Sequence, residues 1–137
     1  MPLISITRLR VRSIRYLPGF FLYTITSALQ AKRAPGNLGM GALRDANNTF
    51  WTRTAWQDEA ARRAFMMAPP HRSAMVKLLE WCDEAAVAHW TQENSALPDW
   101  HEAHQRLVAE GRRSKVNHPS PAHEAYQIPP PKAPRRS

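Results

Sequence analysis

The chain reads as an α+β protein with a ferredoxin-like β-α-β-β-α-β order, followed by one more helix and a basic tail. Three observations predict this. Apolar residues alternate with period two over residues 3–12, 37–44, 48–56 and 83–92, the spacing of half-buried strands. Helical patterns lie between them, over residues 18–33 and 58–82. All five tryptophans fall between residues 48 and 104, where two strands and two helices can pack around one aromatic core.

In residues 3–12, Ile4 and Ile6 share a face with Arg8, Arg10 and Arg12, and the arginines predict a solvated or ion-paired row. Leu3, Ser5, Thr7, Leu9 and Val11 take the other face. The helix over 18–33 has Pro18 in its first turn, where no amide donor is needed. Leu17, Phe21, Thr24 and Ala28 form a stripe widened by Phe20, Leu22, Ile25 and Leu29, which predicts a mostly buried helix. Lys32 and Arg33 suit the negative end of its dipole, and Pro35 and Gly36 stop it.

Gly39 and Gly41 leave one face of the second strand without side chains, so a neighbouring side chain or a ligand can come close. Asp45-Ala46-Asn47 is a turn into the third strand, where Phe50, Thr52, Thr54 and Trp56 face one way and Trp51, Arg53 and Ala55 the other. Asp58 and Glu59 open the next helix, which Pro69-Pro70 breaks and restarts. Its second piece carries His71, Met75, Leu78 and Cys82 on one stripe. In the fourth strand, Val87 and His89 oppose Ala86, Ala88 and Trp90. Asp99 caps a last helix with Trp100, Ala103, His104 and Leu107 on its inner stripe.

A chain of 137 residues is one domain by size, here residues 1–111. Residues 112–137 are basic and proline-rich, and a disordered tail is expected. Of the net charge of +8, residues 111–137 contribute +5 through six basic residues against Glu124, leaving +3 for the rest. Tail charge without a recognition motif predicts no specific nucleic-acid partner. Cys82 stands alone, so no intrachain disulfide can form, which fits a reducing, cytoplasmic setting. Only 16 uncharged residues separate Arg15 from Lys32, and several are polar, so no membrane insertion is expected. One helical layer on a four-stranded sheet leaves the other face needing cover, which predicts a homodimer.

Several motifs resemble an uncharacterised bacterial family of the dimeric α+β barrel superfamily, alongside antibiotic-biosynthesis monooxygenase-like and spheroidene monooxygenase-like proteins. They include Thr7-Arg8-Leu9-Arg10-Val11-Arg12-Ser13, Phe50-Trp51-Thr52, Trp56-x-Asp58-Glu59, His71-Arg72-x-Ala74-Met75, Trp81-Cys82-Asp83-Glu84-Ala85, His89-Trp90-x-Gln92 and Leu97-Pro98-x-Trp100-x-Glu102-Ala103-His104. The resemblance spans residues 7–107. It implies protomers paired through their sheets and a cavity for a small apolar or aromatic molecule. It also implies either oxygenation without a cofactor or haem binding, between which fold alone does not choose.

His71, at a helix start on a core-facing stripe, is the candidate catalytic base or iron ligand, since a helix N-terminus favours neutral imidazole. Trp51, Arg53 and His89 are the candidate ligand-binding residues. His101-Glu102-Ala103-His104 puts its histidines three residues apart rather than four, so no metal site is expected. The leading expectation is a small-molecule tailoring oxidoreductase, a monooxygenase acting on an apolar or aromatic substrate. The alternatives are a non-catalytic small-ligand or haem-binding protein, and a basic surface-binding protein acting through its tail.

Overall fold

The computed structural model describes residues 1–68 and 71–132, apart from the side chains of His71 and Ala74. The predicted order is present: β1 (Leu3–Val11), α1 (Leu17–Arg33), β2 (Asn37–Asp45), β3 (Thr49–Trp56), α2 (Glu59–Met67), α3 (His71–Trp81), β4 (Cys82–Thr91) and α4 (Trp100–Glu110). Two short elements follow, β5 (Arg112–Arg113) and α5 (Pro121–Glu124). The sheet is antiparallel in the order β2-β3-β1-β4-β5, so the first strand is central.

Local chemistry sets the joints. Asn47 and Asn48 take positive φ at the β2–β3 turn, which asparagine tolerates. Asp58 caps α2 by accepting from the Ala61 amide, and Asp99 caps α4 by accepting from Glu102. Gly36, at φ +85°, ends α1 where a Cβ would lie 2.6 Å from that of Ala61.

Directly opposed residues of antiparallel strands share a face. Ser5 pairs with Thr54 on one side and His89 on the other, and Thr7 with Thr52 and Val87. This face lies under α1, α2 and α3, with Phe20, Ala31, Trp56 and Cys82 buried beneath them. On the opposite face, Ile4, Ile6, Trp51, Ala86, Ala88 and Trp90 pack against Trp100, Ala103 and Leu107 of α4. The molecule is therefore three-layered, with the sheet in the middle.

Two expectations are corrected, on the tail and on helix α1, and one on the arginines is met. Residues 112–132 are not a free tail. They run along the outer edge of β4, where Ser114 donates to the Ala85 carbonyl, Ser120 to that of Asp83, and the Ala85 amide to His123 Nδ1. Val116 and His123 are buried, so a few anchors hold a segment of low average hydropathy. The arginine row is ion-paired, as expected: Arg8 is buried on Glu84 at 2.7 Å, Arg10 meets Asp83 at 2.9 Å and Arg12 meets Glu80 at 2.7 Å. Helix α1 is not mostly buried; Leu22, Ile25 and Leu29 face outward. Helix α4 and, through Tyr126 and Ile128, the C-terminal segment pack on the sheet face from which the homodimer was expected.

Candidate functional site

A cavity of about 260 Å³ lies between the sheet and the three helices. Its floor comes from neighbouring strands. Ser5 and Thr7 of β1 stand beside Thr54 and Thr52 of β3, so four hydroxyls form two cross-strand pairs. Its walls are apolar: Phe20 from α1, Phe50 and Trp56 from β3, Phe65 from α2, and Met75 and Leu78 from α3. Such a chamber holds a flat apolar body and offers hydrogen bonds along one edge.

Tyr23 is part of its lining, and His89 stands beside that lining on the same sheet face. Tyr23 lines the cavity and is hydrogen-bonded to Ser27, and burial pushes its phenol above the ordinary value, so it stays a neutral donor. His89 shares the floor's face, directly opposite Ser5. Its Nε2 is buried without a hydrogen-bond partner. Burial, reinforced by Arg62 against the opposing pull of Glu59, holds its imidazole below the usual histidine value. Arg62 itself lines the cavity. A neutral imidazole with a free buried nitrogen is suited to accept a proton from a bound molecule.

The sequence-level candidates separate. His89 lies on the cavity face. Trp51 and Arg53 lie on the other face, under α4. The Trp51 indole donates to Asp45 at 3.1 Å. Arg53 stacks on the Trp100 ring at 4.3 Å and donates to the Pro98 carbonyl. Burial lowers its pKa, with Asp99 opposing. The bare backbone of Gly41 makes room for it, since a Cβ there would meet Arg53 Nε at 2.7 Å. Trp51 and Arg53 thus build the α4 interface rather than the cavity. His71 opens α3, whose Met75, Leu78 and Leu79 wall the cavity, but its side chain lies outside the described residues.

The hydroxyl floor was missed as a site. Its signal was Ser5-x-Thr7 and Thr52-x-Thr54, polar residues at strand spacing on otherwise apolar faces. Cys82 is a buried thiol pushed up to about 12 by burial and by Asp83, which removes it as a nucleophile at neutral pH. Among the described residues, no group of three or more His, Cys, Asp or Glu is placed to hold a metal ion. No described helix is long and apolar enough to cross a membrane.

A β-α-β-β-α-β sheet with helices on one face is a ferredoxin-like α+β fold. No protein-family model and no curated protein matches the sequence. Among solved structures, the chain is similar to SnoaB, a cofactor-independent oxygenase from Streptomyces nogalater (TM-score 0.54, 19% identity, 68% of this chain and 94% of that one). It is also similar to Rv0793 from Mycobacterium tuberculosis (TM-score 0.63, 12% identity, 70% and 99%). A candidate antibiotic biosynthesis monooxygenase from Nitrosomonas europaea is a further match (TM-score 0.57, 18% identity, 66% and 89%). At these identities the likeness is one of fold.

Proposed function

We propose that the protein is a small-molecule oxidoreductase of the monooxygenase kind, acting on an apolar or aromatic substrate in the cavity under α1–α3. The observation that carries this reading is the unpartnered, buried Nε2 of His89 on the face that forms the hydroxyl floor of an aromatic-walled chamber. A ring system enters between Phe20, Phe50 and Trp56, and its oxygens meet Ser5, Thr7, Thr52 and Thr54. His89 then accepts a proton from the bound molecule, and Tyr23 donates a hydrogen bond to oxygen on which negative charge develops. His71, on the helix that walls the same cavity, is a second candidate for the proton acceptor. SnoaB, a cofactor-independent oxygenase of the same fold, supports this class of chemistry.

The test uses purified protein and a set of hydroxylated naphthalenes and anthracenes, with oxygen uptake and product mass followed together. The expected result is turnover in which the hydroxyarene is itself the reductant, gaining one oxygen atom and losing two hydrogens to become a quinone while the second oxygen atom of O2 leaves as water, with a fall of at least about a hundredfold in His89→Gln. Loss in His71→Gln with His89→Gln unchanged moves the base to α3. Binding without turnover, seen as quenching of tryptophan emission, makes the protein a carrier. A Soret band on titration with hemin makes it a haem protein.

A further inference from the structure

The outer side of α1 is apolar and is left uncovered among the described residues. Leu22, Ile25 and Leu29 repeat at helical spacing and are 66%, 59% and 48% exposed. Their helix turns its other side, with Phe20, Tyr23 and Ser27, into the cavity. Exposed Ile14 stands just before α1, and α3, packed beside it, adds Val76 at 67% exposure. Large aliphatic side chains left this open in a row mark a surface that meets something.

The charges around the row say what it meets. From residue 12 to residue 33 there are four basic residues (Arg12, Arg15, Lys32 and Arg33) and no acid. Arg15 lies at one end of the stripe, and Lys32 and Arg33 at the other. All three are exposed, as are Arg72 and Lys77 on α3. Among the described residues, Arg12 is the one of the four paired with an acid, Glu80 at 2.7 Å, while Arg15 lies over the Tyr16 ring and donates to its hydroxyl at 2.7 Å, keeping its charge.

A second copy of the chain fits this face poorly. Two such stripes laid antiparallel would bring Arg15 against Lys32 and Arg33 with no acid on α1 between them, and laid parallel would match like with like. A nucleic acid would use the cations and leave Leu22, Ile25 and Leu29 in water. An anionic lipid surface uses both. The aliphatic row sinks to the boundary of headgroups and acyl chains, and the long basic side chains reach outward to the phosphates.

We infer that α1 is a peripheral docking helix that lays the protein on anionic membrane, without spanning it, through Leu22, Ile25 and Leu29 flanked by Arg15, Lys32 and Arg33. Because the same helix walls the cavity, an apolar molecule dissolved in the bilayer would have a short path to the chamber. The docking itself does not depend on the proposed oxygenation.

The experiment is flotation of the full chain with vesicles of phosphatidylcholine alone and of equal parts phosphatidylcholine and phosphatidylglycerol. The expected result is binding to the mixed vesicles that weakens as salt is raised, with little binding to phosphatidylcholine. Ile25→Ser and the pair Lys32→Gln/Arg33→Gln should each lower the partition coefficient by roughly tenfold at unchanged melting temperature. Wild-type binding equal on the two vesicle types overturns the inference, as does an Ile25→Ser protein that binds like wild type. No vesicle binding together with a concentration-dependent dimer that Ile25→Ser dissociates assigns the face to self-association instead.

Discussion

Arg8 and Glu84, separated by 76 positions in sequence, form a buried ion pair at 2.7 Å across the central β1–β4 ladder. Ser120 donates to the second carboxylate oxygen of Glu84, so the pair also ties the C-terminal segment to the sheet. Breaking such a pair from one side strands a charge away from water. Arg8→Met should destabilise the fold by about 3 kcal/mol, and Arg8→Met/Glu84→Leu should recover a large part of that loss. Chemical denaturation of the two single variants and the double variant gives the coupling. The acid limb provides a second reading. Burial opposes ionisation of Glu84, yet hydrogen bonds from Arg8 and Ser120 hold its pKa below the ordinary value. Its contribution is therefore complete above about pH 4.5 and fades as pH falls through the folded-state pKa. Asp83 acts in the opposite sense, because burial raises its pKa, so the limb should be taken as wild type minus Glu84→Gln.

Removal of residues 112–137 tests whether the last segment belongs to the domain. The cut takes away the buried Val116 and His123, the Ser120–Glu84 bond and the Tyr126 hydroxyl bond to the Leu107 carbonyl. It also uncovers part of the face where Tyr126 and Ile128 pack. The melting temperature should fall by about 10 °C or more. A change of only a few degrees in scanning calorimetry would mean that the domain ends at Gly111.

His89 supplies a signature near neutrality. Its pKa is depressed in the folded state by burial and by Arg62, so folding favours the neutral ring. That contribution is fully present above the unfolded value of about 6.5 and is lost as pH falls toward the folded one. Between about pH 8 and about pH 5, wild type should lose stability that His89→Gln keeps. Parallel melting curves for the two proteins over that range would remove the buried imidazole from the account.

Gly36 holds a place that no other residue fits well. Its φ of +85° and the 2.6 Å approach of Ala61 predict that Gly36→Ala costs about 2 kcal/mol. Gly39→Ala, where the nearest atom to an added Cβ is Leu97 at 3.7 Å, is the control expected to cost less. Equal losses in urea would show that backbone handedness is not the cause.

Much of the fold was legible because it depends on periodicity. Strand and helix spacing and the Asp99 cap gave the order of elements, while the break expected at Pro69-Pro70 lies outside the described residues. Which faces coincide was not legible, because that is fixed by register across strands distant in sequence. Residues 51, 53 and 89 are all odd-numbered, yet the pairing of Ser5 with both Thr54 and His89 puts Trp51 and Arg53 on the opposite side from His89. Average hydropathy also hid the role of the C-terminal segment. Its attachment rests on single side chains, such as the His123 ring accepting from Ala85, that composition does not reveal. The cavity floor was visible as paired hydroxyl spacings, but only the sheet shows that they lie side by side.

The contacts along β4 have a further meaning for how the protein behaves in crowded solution. An outer strand with free amides and carbonyls is a template on which another chain can add itself. Here the Arg112–Arg113 pair and the Ser114, Ser120 and His123 contacts occupy those groups from Asp83 to Val87. The added strand is only two residues long and both are exposed arginines, so it offers the next chain repulsion in place of a ladder. Proteolytic loss of the segment would convert a closed rim into an adhesive one, and clipped molecules would be expected to clump where intact ones remain dispersed.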